Sequence, residues 1–131
     1  MIGLDTNVLV RYVMQDDAKQ SETASRLIES LSAESPGFVP IVALIEFVWV
    51  LTSCYDLTHG QVAQALDALL RAKEIVLERA EQVSQALRTF AAGVGDFADC
   101  IIERTAAAVG CEMTMTFDKG AVKGAGMTLI A

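Results

Sequence analysis

The sequence predicts an α/β domain whose parallel strands are covered by helices on both faces. Short apolar, β-branched runs alternate along the chain with longer segments of helical periodicity, the pattern of a parallel sheet. At 131 residues and 53% hydrophobic, the chain holds enough apolar side chains for one substantial core, so a single domain over residues 1–131 is expected. Two of the strand-like runs end in an aspartate, Asp5 and Asp118. In open α/β sheets, ligand-binding groups gather at the carboxyl ends of the strands.

Residues 1–4 read as a short buried strand. Residues 6–14 follow as a helix with Val8, Leu9, Tyr12 and Val13 on one side. Asp16 and Asp17 make a turn and a cap for a second helix to about Ser32, with Ala24, Leu27, Ile28 and Leu31 on its apolar face. AESPG breaks that helix and FVP is a second strand. Residues 41–54 form a mostly buried helix, and Thr58 caps the next, which carries Val62, Leu66, Leu69 and Leu70 on one face. EIVLE is a strand by its β-branched run. A helix over residues 80–92 ends at the Gly-Val-Gly break, and Asp96 opens another that ends near Gly110. MTMTF and MTLI are strands separated by the turn or short helix DKGAVKGAG. There is no repeat or linker to divide the chain.

The net charge of −7 argues against simple electrostatic binding to a phosphate backbone. Five of the acids, Asp5, Glu46, Asp96, Asp99 and Asp118, stand where bound divalent cations would cancel their charge. No apolar run approaches the roughly 18 residues of a membrane span. The N-terminus shows no signal peptide, so a cytoplasmic location is expected. Cys54, Cys100 and Cys111 have no CxxC spacing. They read as small buried apolar residues rather than a disulfide framework or a zinc site. His59, the only histidine, reads as an ordinary helix-start residue.

Asp5 follows an apolar opening, Glu46 interrupts IVALIEFVWVL, Asp99 lies in GDFADCII, and Asp118 ends TMTFD. A buried carboxylate is costly unless paired or bound to metal, and of these acids only Asp118 has a cation directly beside it in sequence, Lys119. Glu46 has Val42, Ile45, Trp49 and Val50 as its helical neighbours, so it is expected to point inward with them. Asp96 and Asp99 share one face at a helix start, where the dipole favours negative charge. Each acid also has an ordinary reading. Asp5 and Asp96 are good helix caps, Asp118 is a turn starter, and Asp99 is a first-turn charge meeting the dipole. Carboxylates are the ligands Mg²⁺ and Mn²⁺ prefer, and such ions suit displacement at phosphorus.

Four segments in order, IGLDTNVLVRYVMQDD, ALIEFVWVL, GDFADCIIERTAAAVGC and TFDKGA, resemble the PIN domain. More narrowly, they resemble the VapC-type toxins of type II toxin–antitoxin systems. The resemblance implies a PIN-like three-layer α/β/α domain with a central parallel sheet. It also implies a metal-dependent endoribonuclease that cuts RNA and blocks translation. By motif, Asp5, Glu46, Asp99 and Asp118 correspond to the family's acidic quartet, holding Mg²⁺ or Mn²⁺ and the attacking water. Asp96 corresponds to an auxiliary metal position. Thr6, Asn7 and Thr116 match polar positions that order the site through hydrogen bonds to the carboxylates. The family further implies a homodimer and a VapB-like antitoxin whose C-terminal segment fills a groove near the active site. Arg11, Lys119 and Lys123 are candidates for RNA phosphate contacts, with solvated surface charge as the ordinary alternative.

Three other readings compete. One is a PIN-type RNA-processing nuclease without an antitoxin, and another is a non-catalytic cation-binding interaction module. The third is a phosphatase of the haloacid dehalogenase type. That chemistry needs a second aspartate two residues after the first, where this chain has Asn7.

Overall fold

Seven helices and five short strands, β1 to β5, account for most of residues 1–130, which the computed structural model describes. Ala131, the last residue of the expected domain, lies outside the described residues. The elements group into two compact units, Met1–Glu78 and Arg79–Ala131.

The first unit runs β1 (Ile2–Gly3), α1 (Thr6–Met14), α2 (Ala18–Glu29), β2 (Gly37–Val39), α3 (Ile41–Ser53), α4 (His59–Arg71) and β3 (Ile75–Leu77). Its strands form a parallel sheet in the order β1-β2-β3. Ile2 pairs with Gly37 and Gly37 with Ile75, and the register continues to Val39 opposite Leu77. The Leu4 amide donates to the Phe38 carbonyl at 2.8 Å, carrying the pairing up to the residue before Asp5. The core gathers Leu4, Leu9, Ile28, Val39, Leu44, Phe47, Leu51 and Leu66, each 4% exposed or less.

Local chemistry explains the boundaries. Asp17 Oδ1 accepts from the Gln20 amide at 2.9 Å and starts α2. Thr58 and Gln61 form a reciprocal capping box at the start of α4. At α3, Pro40 carries no capping group, and Glu78 supplies one from the end of β3: its Oε1 accepts from the Ile41 amide at 2.8 Å. Helix α2 ends at Glu29 rather than near Ser32. There Ser30 Oγ donates to the Leu27 carbonyl at 2.6 Å and the last turn closes with tighter bonds. Gly37 is buried against Leu4, and a Cβ there would come within 2.6 Å of Leu4 Cδ1.

The second unit runs α5 (Ala80–Ala92), α6 (Phe97–Ala108), β4 (Met115–Thr116), α7 (Lys119–Ala125) and β5 (Thr128–Leu129). Strands β4 and β5 are parallel, with Met115 opposite Thr128. Helices α5, α6 and α7 pack on one another around Val83, Ala86, Phe90, Phe97, Cys100, Ala121 and Ala125. Phe90 and Phe97 meet edge to face at 5.6 Å. The expected strand MTMTF shrinks to two paired residues because β5 offers a partner only for Met115 and Thr116. Of the cysteines expected to be buried, only Cys100 is; Cys54 and Cys111 are exposed and all three are free.

Candidate active site

In the first unit, Asp5 precedes α1 in extended backbone (φ −81°, ψ 162°) and its side chain makes no capping bond. The ordinary capping role therefore does not occupy this carboxylate. The next residue, Thr6, is buried, and its hydroxyl donates to Glu46 Oε1. That bond ties the start of α1 to the middle of α3 and fixes Glu46 relative to the residue beside Asp5. Asn7 is exposed and lines a groove of about 560 Å³ between α1 and α2 with Val8, Arg11, Gln20 and Leu27.

Glu46 does not point inward as its neighbours suggested. The buried side of α3 is Ala43, Leu44, Phe47, Val48 and Leu51, while Glu46 shares an exposed side with Val42 and Trp49. In a helix that is apolar nearly all round, apolar neighbours do not reveal which face is inside. Asp5, Asp96 and Asp118 are exposed too, and Asp99 is half-buried. The acids are open to solvent rather than sealed in the core.

In the second unit, Asp96 and Asp118 cap α6 and α7. Asp96 Oδ1 accepts from the Ala98 amide at 3.1 Å, and Asp118 Oδ1 from the Gly120 amide at 2.8 Å. Each cap uses one carboxylate oxygen and leaves Oδ2 without a protein donor among the described residues. Thr116 was expected to bond a carboxylate, but its hydroxyl accepts from the Asp118 backbone amide at 3.0 Å. It orders the aspartate through the main chain. Asp99 lies in the first turn of α6. Burial pushes its pKa up, and the neighbouring charges of Asp96 and Asp118 add to the rise.

Two glycines bring these acids within range of one another. A Cβ on Gly124 of α7 would lie 2.5 Å from Gly95 Cα, and one on Gly95 would lie 2.8 Å from Gly124 Cα. Main chain rests on main chain there, which only glycine allows. The residue before Asp96 is thereby seated against α7, the helix Asp118 begins. In sequence, Gly95 reads only as part of a helix break and Gly124 as part of a turn.

The donor chemistry suits a hard divalent cation. The ion pairs among the described residues join Arg11 to Asp16, Arg71 to Asp67 and Arg104 to Glu103. None neutralises Asp5, Glu46, Asp96, Asp99 or Asp118. All-oxygen donors with uncompensated charge favour Mg²⁺ or Mn²⁺ over zinc or copper. Among the described residues, no three His, Cys, Asp or Glu side chains stand close enough together to hold a metal ion.

Arg11 is engaged elsewhere. Its Nε donates to Gln20 Oε1 at 2.7 Å, and Nη1 donates to Asp16 Oδ1 at 3.2 Å and to the Tyr55 hydroxyl at 3.1 Å. The Tyr55 hydroxyl donates in turn to Asp16 Oδ2 at 2.7 Å. This clasp joins the ends of α1 and α3 to the start of α2 and takes up the guanidinium that was one candidate for RNA phosphates. Neither Tyr55 nor Glu78 was marked by any sequence motif.

The PIN domain family matches this chain over residues 2–126, from β1 to the end of α7. The chain belongs to the PIN domain family. Its α/β class, parallel strands and helix-rich composition are those of the PIN α/β/α fold. The chain is also 25% identical over 117 residues to a VapC ribonuclease from Aquifex aeolicus (strain VF5), covering 88% of this chain and 86% of that protein. PIN membership leaves the phosphatase reading without support. No helix among the described residues of this PIN domain is long and apolar enough to cross a membrane.

Proposed function

We propose that the chain is a metal-dependent endoribonuclease, the toxin of a VapC–VapB type toxin–antitoxin pair, working as one PIN domain over residues 1–131. The observation that carries this reading is the PIN match across all four acidic motifs, with acids that no protein cation neutralises. Asp5, Glu46, Asp99 and Asp118 are the catalytic acids and hold Mg²⁺ or Mn²⁺, with Asp96 auxiliary. The bound ion supplies charge stabilisation at the phosphodiester and activation of water. The chain's own part is positioning. Thr6 fixes Glu46 by its hydroxyl, Thr116 fixes the Asp118 backbone, and the caps of α6 and α7 hold one oxygen of Asp96 and Asp118. Asn7 borders the groove beside Asp5.

That groove between α1 and α2, polar at its rim and apolar along Val8, Ala24 and Leu27, is the surface we assign to the antitoxin segment. A homodimer in the cytoplasm completes the reading. The test is cleavage of single-stranded RNA by purified protein with and without Mn²⁺ or Mg²⁺, beside Asp5→Asn prepared identically. Metal-dependent cleavage lost in the variant is expected. Equal cleavage by both proteins, or none from wild type freed of any co-purifying antitoxin, would sink the nuclease reading and favour a cation-binding interaction module.

A further inference from the structure

Of the chain's one Trp, two Tyr and five Phe, the two that stand largely in water are Trp49, 62% exposed, and Phe117, 81% exposed. The other aromatic side chains are buried or half-buried. Each exposed ring adjoins a candidate acid. Trp49 lies one helical turn after Glu46 on the exposed side of α3, with Val42 on that side one turn before. Phe117 immediately precedes Asp118. Folding does not require either ring to be outside, and neither unit buries it.

We infer that Trp49 and Phe117 contact the bases of single-stranded RNA, so that stacking on aromatic rings rather than phosphate pairing holds the substrate beside the acids. The inference rests on the ribonuclease reading and names how that substrate is gripped. Three observations select RNA as the occupant. First, whatever covers Val42 and Trp49 also covers Glu46 between them, so this side of α3 must stay open to the molecule being cut. Second, the chain carries a net charge of −7, and Arg11, Arg71 and Arg104 are each paired to a carboxylate. Near the acids in sequence this leaves Lys119 and Lys123, which follow Asp118, as basic side chains for phosphates, too few to grip a strand by charge alone. Third, stacking needs no positive charge and accepts any unpaired base, because every base has a π-face. Duplex RNA hides those faces, so single strands are the substrate form that fits.

Trp49 is the only tryptophan, so emission excited at wavelengths that tyrosine does not absorb reports on it alone. A single-stranded oligoribonucleotide and an abasic backbone of equal length are titrated into wild type without divalent ions and into Asp5→Asn with Mn²⁺. Quenching by the RNA and not by the abasic strand is expected. Trp49→Ala and Phe117→Ala each weaken RNA binding about tenfold and raise KM with kcat retained, and Trp49→Phe recovers most of the loss. Equal quenching by both strands overturns base contact in favour of backbone contact. Absent quenching with metal-dependent cleavage intact overturns the inference and leaves the nuclease standing, whereas absence of both overturns both. Quenching without any cleavage upholds the base contact and removes the hydrolytic reading. A blue shift of emission that grows with protein concentration, without RNA, would make this face an interface between two copies and overturn the inference.

Discussion

Thr6 does the most for the candidate site while taking no direct part in the proposed chemistry. Its hydroxyl is buried and bonded to Glu46 Oε1, yet the carboxylate it holds stands on an exposed helix side. A free glutamate there would sample several rotamers, and misplacement of a catalytic group costs rate rather than affinity. Thr6→Val keeps the shape and removes the donor. It is expected to lower kcat by about 10- to 100-fold with little change in KM, and Thr6→Ser should restore most of the rate. Steady-state kinetics on one RNA substrate decides it, and an unchanged kcat would make the bond incidental. Thr6 is legible in sequence only through its place after Asp5. Its partner Glu46 was singled out for a reason that failed, since the acid is exposed, and it stays a candidate through the motif around it.

Helix boundaries were legible where the capping chemistry is local. Asp17, Thr58 and Asp96 each act within three residues of themselves, so sequence alone finds them. Devices joining distant segments left no such trace. Glu78 caps α3 from 37 residues away, and Gly95 meets Gly124 across a span in which both read as simple breaks. The glycine contact makes the firmer prediction. Gly124→Ala forces a methyl group to within 2.5 Å of Gly95 Cα, and main chain cannot step aside as a flexible side chain can. A loss of about 1–3 kcal/mol is expected in denaturant unfolding, with activity falling further than stability because α6 and α7 carry Asp96, Asp99 and Asp118. A neutral result would show that the two segments separate freely. The clasp of Arg11, Asp16 and Tyr55 gives a pH signature at the same scale. The Tyr55 hydroxyl bond, with help from Arg11, holds the Asp16 carboxyl below its ordinary value. A carboxyl lowered on folding stabilises above its unfolded pKa, about 3.9, and loses that contribution as pH falls through the lower folded value. Tyr55→Phe should therefore lose stability near neutrality, and its gap from wild type should narrow under acid. A gap constant with pH would assign the effect to packing alone.

Across the whole molecule the acids shape both charge and stability. Capping accounts for Asp96 and Asp118, but Asp5 and Glu46 cap no helix and Asp99 is half-buried. None of the five acids has a cationic partner among the described residues, in a chain of net charge −7. Asp99 shows the cost most directly. Its pKa is raised by burial and by Asp96 and Asp118, so its ionised form near neutrality opposes folding. The sign is opposite to that of Asp16: the stability belongs to the protonated form and is lost as pH rises through the raised value. A divalent cation that binds the folded chain reverses this by mass action, and at a hundredfold excess over Kd it contributes about 2.7 kcal/mol. For a domain of this size that corresponds to a rise in Tm on the order of 10 °C. Two effects should then separate in a thermal melt. Without metal, Asp99→Asn melts a few degrees above wild type because a repelled charge is gone. With Mn²⁺, wild type gains most of the rise while Asp99→Asn and Asp5→Asn gain little, and chelation returns wild type to its starting point. A wild-type Tm indifferent to Mn²⁺, with Asp99→Asn no more stable than wild type, would mean that these acids are solvated surface charge and hold no ion.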